Sequence, residues 1–194
     1  MPPVFVGSGG AAGQPPRPQT IFSRRNLGGQ ASLRRDQCKE MAMTDIHELL
    51  EQDHRAVRDD LSKIGLTETE GTEERTMLFT RVKEALALHM EFEEKVFYPA
   101  AREATGMVDE IRDDIEEHQE AKELIQQISG LDPDDEEWRE KVVDLASALD
   151  HHIRDEEEKL FPQSRERLNE SQKGAMGADY KKMVEQSAPA IVTQ

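Results

Sequence analysis

The sequence predicts an all-α fold, an up-down-up-down four-helix bundle, and three observations carry that prediction. Apolar residues recur at alternating intervals of three and four over four long stretches, with almost no strand-like alternation. Helix punctuation separates the stretches: Gly65, then Gly71-Thr72, then Gly106, then Gly130 followed by Asp132-Pro133. The connections are short, so successive helices must lie antiparallel beside one another.

The chain opens on "MPPVFVGSGGAAGQPPRPQT", rich in Gly and Pro and without periodicity, and continues into the Arg-containing "IFSRRNLGGQASLRRDQCKE". Residues 1–43 are expected to be a disordered N-terminal extension, an upstream extension ahead of Met41 or Met43 fitting better than a transit peptide. The bundle is expected over residues 44–168. Its first helix runs from about Asp45 to Ile64, with Thr44 as N-cap and Gly65 as stop. The second begins after Gly71-Thr72, reaches about Tyr98 and carries on, kinked, through Pro99 to Thr105, where Gly106 closes it. The third spans about Val108 to Ser129. The fourth is capped by Asp132, has Pro133 at its first position and acids suited to the helix dipole, and reaches about Leu168. Residues 169–194 are expected to hold a short helix, about Ser171 to Glu185, that caps one end of the bundle, and a flexible tail.

Charge and cysteine usage narrow the function classes. The formal net charge is −16. Residues 1–42 hold six Lys/Arg against two Asp/Glu, so the rest of the chain carries −20. So acidic a body repels phosphate backbones and anionic lipid, which argues against nucleic acid and membrane surfaces as partners. Cys38 is the single cysteine, so no disulfide and no Cys-based zinc or iron–sulfur site can form within the chain. No apolar run approaches the roughly 20 residues of a membrane span, and no secretory h-region is visible. A cytoplasmic protein is the expectation.

The stripes themselves carry the functional signal. They read Leu50, His54, Val57, Leu61, Ile64 on the first helix and Phe79, Val82, Leu86, His89, Glu93, Val96 on the second. The third reads Ile111, Ile115, His118, Ile125, Ile128, and the fourth Trp138, Val142, Leu145, Leu149, His152, Glu156. A histidine holds a core position on all four helices, and a glutamate follows one turn later on two of them. "HMEFEEKVFYPAAR" (89–102) is echoed by "HIRDEEEKLFPQSR" (152–165). His89 lies 35 residues after His54, and His152 lies 34 after His118, so each hairpin brings its pair to a common level. A buried carboxylate without a partner costs several kcal/mol. A lone core histidine is ordinarily a packing residue, and a lone His-x-x-x-Glu an ordinary surface pair. Their conjunction on four stripes points instead to six converging ligands. Imidazole plus carboxylate suits iron, manganese or zinc better than magnesium or calcium. With two carboxylates able to bridge, a pair of iron ions leads, with manganese or zinc behind it. His47, about 10 Å along the axis from His54, is read as a packing residue. His151 flanks the site, Pro99 and Pro162 kink or stop their helices, and Trp138, Tyr98 and Phe161 are read as packing.

These residues resemble the hemerythrin-like family, the HHE cation-binding domain. The resemblance covers about Thr44 to Leu168 and rests on "EQDHRAV", "HMEFEEKVFYP", "EEHQEAK" and "HHIRDEEEKLFP". It implies a four-helix bundle around a non-haem, oxygen-bridged di-iron site, with His54, His89, Glu93, His118, His152 and Glu156 at the ligand positions. Two positions depart from oxygen-carrying members: Lys122 stands where they have a further histidine, and Glu157 where they have an aspartate. Glu156, at the spacing Glu93 uses, is the better bridge. Four histidines serve two irons evenly, as in the iron-sensing F-box proteins of the same superfamily. The resemblance thus implies a centre that binds or senses dioxygen, nitric oxide or iron, with Val57, Leu86, Ile115 and Leu149 as an apolar layer around it. The alternative is a di-iron enzyme that decomposes peroxide or oxidises ferrous iron. Glu-x-x-His, the order of ferritin-like oxidases, occurs only at Glu51-Gln52-Asp53-His54, against the duplicated histidine-first order. The protein partner of a sensor is not written in the sequence.

Overall fold

A computed structural model describes residues 44–66 and 71–187; the expectations for residues 1–43 and for the tail beyond 187 fall outside them. Among the described residues every regular element is helical. Helix α1 (Ile46–Leu66) begins where the Asp45 carboxylate accepts the His47 amide at 2.9 Å, so Asp45 rather than Thr44 caps it. It runs past Gly65, whose backbone stays helical. Helix α2 occupies 72–105 in three segments: Thr72–Phe92, a π-helical turn at Glu93–Phe97, and Tyr98–Thr105. Gly106 ends it at φ 80°, a left-handed conformation that favours glycine. Helix α3 is Val108–Ser129. Helix α4 occupies 136–167 with the same pattern: Glu136–Asp155, a π turn at Glu156–Leu160, then Phe161–Arg167. It starts later than the Asp132 cap would place it. Asp132 accepts the Asp134 amide on its side chain and the Asp135 amide on its carbonyl, which closes a turn ahead of the helix.

The two prolines neither stop nor break their helices. A helical proline lacks an N–H, and its ring collides with the carbonyl four residues back. Each π turn lies just before its proline and moves one hydrogen bond from the fourth to the fifth residue, Tyr98 N–H to Glu93 O and Phe161 N–H to Glu156 O. The extra residue makes room for the ring, and it turns residues 98 and 161 onto the face that carries the glutamates.

Neighbouring helices pack as α1 on α2, α3 on α4 and α1 on α4. Two apolar clusters fill the interior. One holds Val57, Leu61, Val82, Leu86, Trp138, Leu145 and Leu149; the other holds Ile46, Leu50, Phe92, Phe97, Tyr98 and Phe161. The histidine layer lies between them. A fifth helix, α5 (Glu170–Ser187), packs on α1 and α2, where Met176 and Tyr180 complete the second cluster. It can approach because residue 177 is glycine: an added Cβ would stand 2.0 Å from the Thr44 carbonyl oxygen.

Candidate metal centre

The alternating threes and fours place His54, His89, His118 and His152 on the inner faces of α1 to α4, where each is at most 4 % exposed. Glu93 and Glu156, one turn beyond His89 and His152, are fully buried at the first residue of each π turn. The structure brings all six together. Nε2 of His54 lies 3.1 Å from Nε2 of His89, and Nε2 of His118 lies 3.2 Å from Nε2 of His152. Glu93 spans the two pairs, with Oε1 3.2 Å from His89 Nε2 and Oε2 3.3 Å from His118 Nε2. Glu156 directs Oε2 at both as well, 3.2 Å from His54 and 3.6 Å from His152.

Every one of the four imidazoles is backed by a carboxylate. His54 Nδ1 donates to Glu157 at 2.9 Å, His118 Nδ1 to Glu94 at 3.0 Å and His152 Nδ1 to Glu117 at 3.0 Å. His89 Nδ1 faces Asp53 at 3.4 Å, and Asp53 in turn accepts from the Tyr180 hydroxyl of α5. A proton held on Nδ1 leaves the Nε2 lone pair free to face inward, which is the tautomer a metal requires.

The spacing fits a metal ion. Two ligand atoms about 2.1 Å from one ion and at right angles stand about 3.0 Å apart, close to both Nε2 pairs. Both oxygens of Glu93 and Oε2 of Glu156 are buried and face only histidine Nε2 atoms, so in the tautomer with the proton on Nδ1 they have no donor, an arrangement that is costly unless a proton or a cation completes it. The model of the family described as hemerythrin HHE cation binding domain matches residues 45–164. The chain belongs to that family. Among solved structures, a hemerythrin HHE cation binding domain-containing protein from Mycobacterium kansasii is similar with a TM-score of 0.65 and 20 % identity, over 74 % of this chain and 87 % of that one. At that identity the likeness speaks to the fold. A curated DNA nickase from Nostoc sp. is 32 % identical over 103 residues, which are 53 % of this chain and 29 % of the nickase.

Within this hemerythrin-like domain the charges are arranged to receive a cation. Burial pushes the His89 imidazolium down, but the adjoining Glu93 and the Asp53 contact outweigh it and hold the group up at about 10. At His152 burial is likewise overcome, by Glu156 and Glu117, and the group is held up at about 9. Glu93 sits well below the usual carboxylate range: burial opposes this, and His89 and His118 prevail. In the absence of an ion, protons on imidazole supply the positive charge the core demands.

Two expectations about neighbouring residues change, those for Ile115 and Tyr98. Ile115 is 42 % exposed and does not line the centre; Asp114, the adjacent residue, is buried in its place. Both positions flank the His118 face, one four and one three residues before it, and the roll of α3 selects the former. The apolar wall is Val57, Leu86, Met90, Leu149 and Ile153, around a cavity of about 10 Å³ that the four histidines also line. Lys122 points outward, its Nζ 2.6 Å from Glu94. Tyr98 is more than packing: its hydroxyl donates to Glu156 Oε1 at 2.9 Å and lies 3.2 Å from His118 Nε2. Tyr98 stacks on His118 as Phe161 stacks on His54, with ring centroids 5.5 Å and 5.7 Å apart, so the two halves differ by one hydroxyl at that position. His47 stays outside the centre, tied between Asp45 at 2.6 Å and Ser164 at 2.9 Å.

Proposed function

We propose that the domain holds two iron ions, one at His54 and His89 and one at His118 and His152, and that it binds or senses dioxygen or nitric oxide there. The observation that supports this best is the pair of close Nε2 contacts spanned by one fully buried glutamate. When bound, an iron pair supplies reversible electron transfer to a small oxygen or nitrogen oxide ligand.

The residues supply the rest. Glu93 presents one oxygen to each histidine pair and so fixes the spacing between them. Tyr98 holds Glu156 Oε1, which commits Oε2 to the centre and keeps a proton at a defined atom beside it. The carboxylates on Nδ1 make the imidazoles better donors. The apolar wall limits water, and the cavity of about 10 Å³ it lines is no larger than roughly one water molecule, which excludes bulky substrates. Nicking of DNA is not proposed for this chain: the match covers 29 % of the nickase, and the −20 charge beyond residue 42 repels a phosphate backbone.

Elemental analysis of iron-loaded protein, followed by stopped-flow mixing of its reduced form with dioxygen and nitric oxide, tests the reading. Two irons per chain and a spectrally distinct, reversible adduct are expected, both lost in His89→Ala. Fewer than two irons, or irreversible oxidation with no adduct, overturns it. Oxygen evolution from peroxide in proportion to iron would move the domain to the peroxide-decomposing class.

A further inference from the structure

The two helical hairpins repeat one set of contacts, and the repeat breaks at the carboxylates behind the histidines. Asp53, behind His89, is covered by Tyr180 of α5. Its counterpart Glu117, behind His152, is bonded instead by His151: Nδ1 of His151 lies 2.9 Å from Glu117 Oε1, while Oε2 accepts from His152 at 3.0 Å. His151 is 64 % exposed, so this side of the bundle opens to solvent. Three residues before Glu117 on α3 lies Asp114, 5 % exposed, with Oδ2 buried and without a hydrogen-bond partner. Nothing in the core centre uses Asp114. The ligand atoms of Asp114, Glu117 and His152 lie within 4.8 Å of one another.

We propose that Asp114, Glu117 and His151 form an outer site for a divalent first-row transition cation, on the solvent side of His152. Two oxygens or nitrogens that share an ion at about 2.1 Å stand at most about 4.2 Å apart, so a shift below an ångström brings Asp114 and Glu117 onto one ion, and His151, whose Nδ1 already lies 2.9 Å from Glu117 Oε1, joins them by turning its imidazole. Carboxylate oxygens with an imidazole and no thiolate select such an ion over softer or alkaline-earth alternatives. The ion gives Asp114 Oδ2 the partner it lacks and replaces the His151–Glu117 hydrogen bond, while Glu117 keeps its second oxygen on His152. Lys159 does not take the role, because its ammonium is held by Asp155 at 2.6 Å. The exposed imidazole makes this the point at which an incoming ion first meets ligands of the buried layer.

The site is separate from the core pair, and manganese stoichiometry distinguishes the two. Equilibrium dialysis of the full chain against Mn²⁺, with bound metal counted by elemental analysis, is expected to find three ions. Asp114→Asn, nearly isosteric, should retain two, and His151→Ala, a surface change, should weaken the third ion about tenfold or more. Three ions retained in Asp114→Asn with unchanged affinity, or a third ion never found in the wild type, overturns the outer site. A wild type that binds a single ion, lost in Asp114→Asn, would keep the outer site and refute the core pair.

Discussion

Loading the centre with metal should expel protons, and the number is set by His89 and His152. Their imidazoles are held up at about 10 and about 9, against an ordinary value near 6.5. At pH 7 both are charged, yet a metal needs both Nε2 lone pairs, so loading should release about two protons per chain. At about pH 9.5 His89 remains mostly protonated and His152 mostly neutral, and release should fall to about one. Near neutrality the apparent affinity for each ion should therefore rise about tenfold per pH unit, and the overall constant for loading both about a hundredfold, or about 2.7 kcal/mol. The signs separate the two forms. In the metal-free protein the raised values contribute stability that is complete below the unfolded value of about 6.5 and lost as pH climbs through about 9 to about 10. Metal-derived stability grows over the same window. Titration calorimetry of Asp114→Asn, which keeps the core pair without the outer ion, with Mn²⁺ or Zn²⁺ in buffers of different ionisation heat reads these protons directly; in the wild type Asp114, held up at about 8 by burial and by Glu156, would add its own. Release near zero at pH 7, or a number that does not change by pH 9.5, would refute the charge arrangement deduced for the core.

Tyr98→Phe would make the two halves alike at this position and strip Glu156 Oε1 of its donor; loss of a buried bond to a carboxylate costs about 1.5–3 kcal/mol, read by urea unfolding of the metal-free protein. Gly177→Ala should push α5 away from Thr44, since its Cβ would stand 2.0 Å from a carbonyl oxygen; the melting temperature should fall and hydrogen exchange rise first in α5. Glu94→Ala removes the acceptor of His118 Nδ1 and should weaken metal binding about 10–100-fold while leaving helix content unchanged on circular dichroism. Lys122→Ala, which touches the same carboxylate only from the solvent side, should change affinity far less.

The inward faces of the four helices were legible because a period of three and four decides which side chains meet. Leu50 to Ile64 on α1 and Trp138 to Glu156 on α4 are buried along the whole stripe. What escaped has three physical origins. Tyr98 and Phe161 stand five residues after Glu93 and Glu156, off the face in an ideal α-helix; the π turns bring them onto it, and only the proline one residue later hints at such a turn. Asp114 and Ile115 compete for one face, and the choice depends on the roll of α3 against its neighbours. The carboxylates behind the histidines fall off the apolar stripes, where charged residues are ordinarily solvated, although Asp53, Glu94, Glu117 and Glu157 are each the immediate neighbour of a ligand-type residue in sequence.

The four backing contacts form a closed ring. His54 on α1 is backed from α4, His89 on α2 from α1, His118 on α3 from α2, and His152 on α4 from α3. Each hairpin therefore orients only one of its two imidazoles, His89 or His152; His54 and His118 depend on carboxylates from the other hairpin. The geometry at the centre exists only when all four helices are docked, and a metal that favours this geometry stabilises every helix interface at once. Six of the chain's 41 acidic residues serve the same arrangement. One layer of carboxylates points inward, a second holds the imidazoles from behind, and both need positive charge nearby. Protons supply it when the core is metal-free, and cations supply it better. The domain's folding equilibrium and its metal occupancy are thus one linked process, and a substitution at any backing carboxylate should register in both.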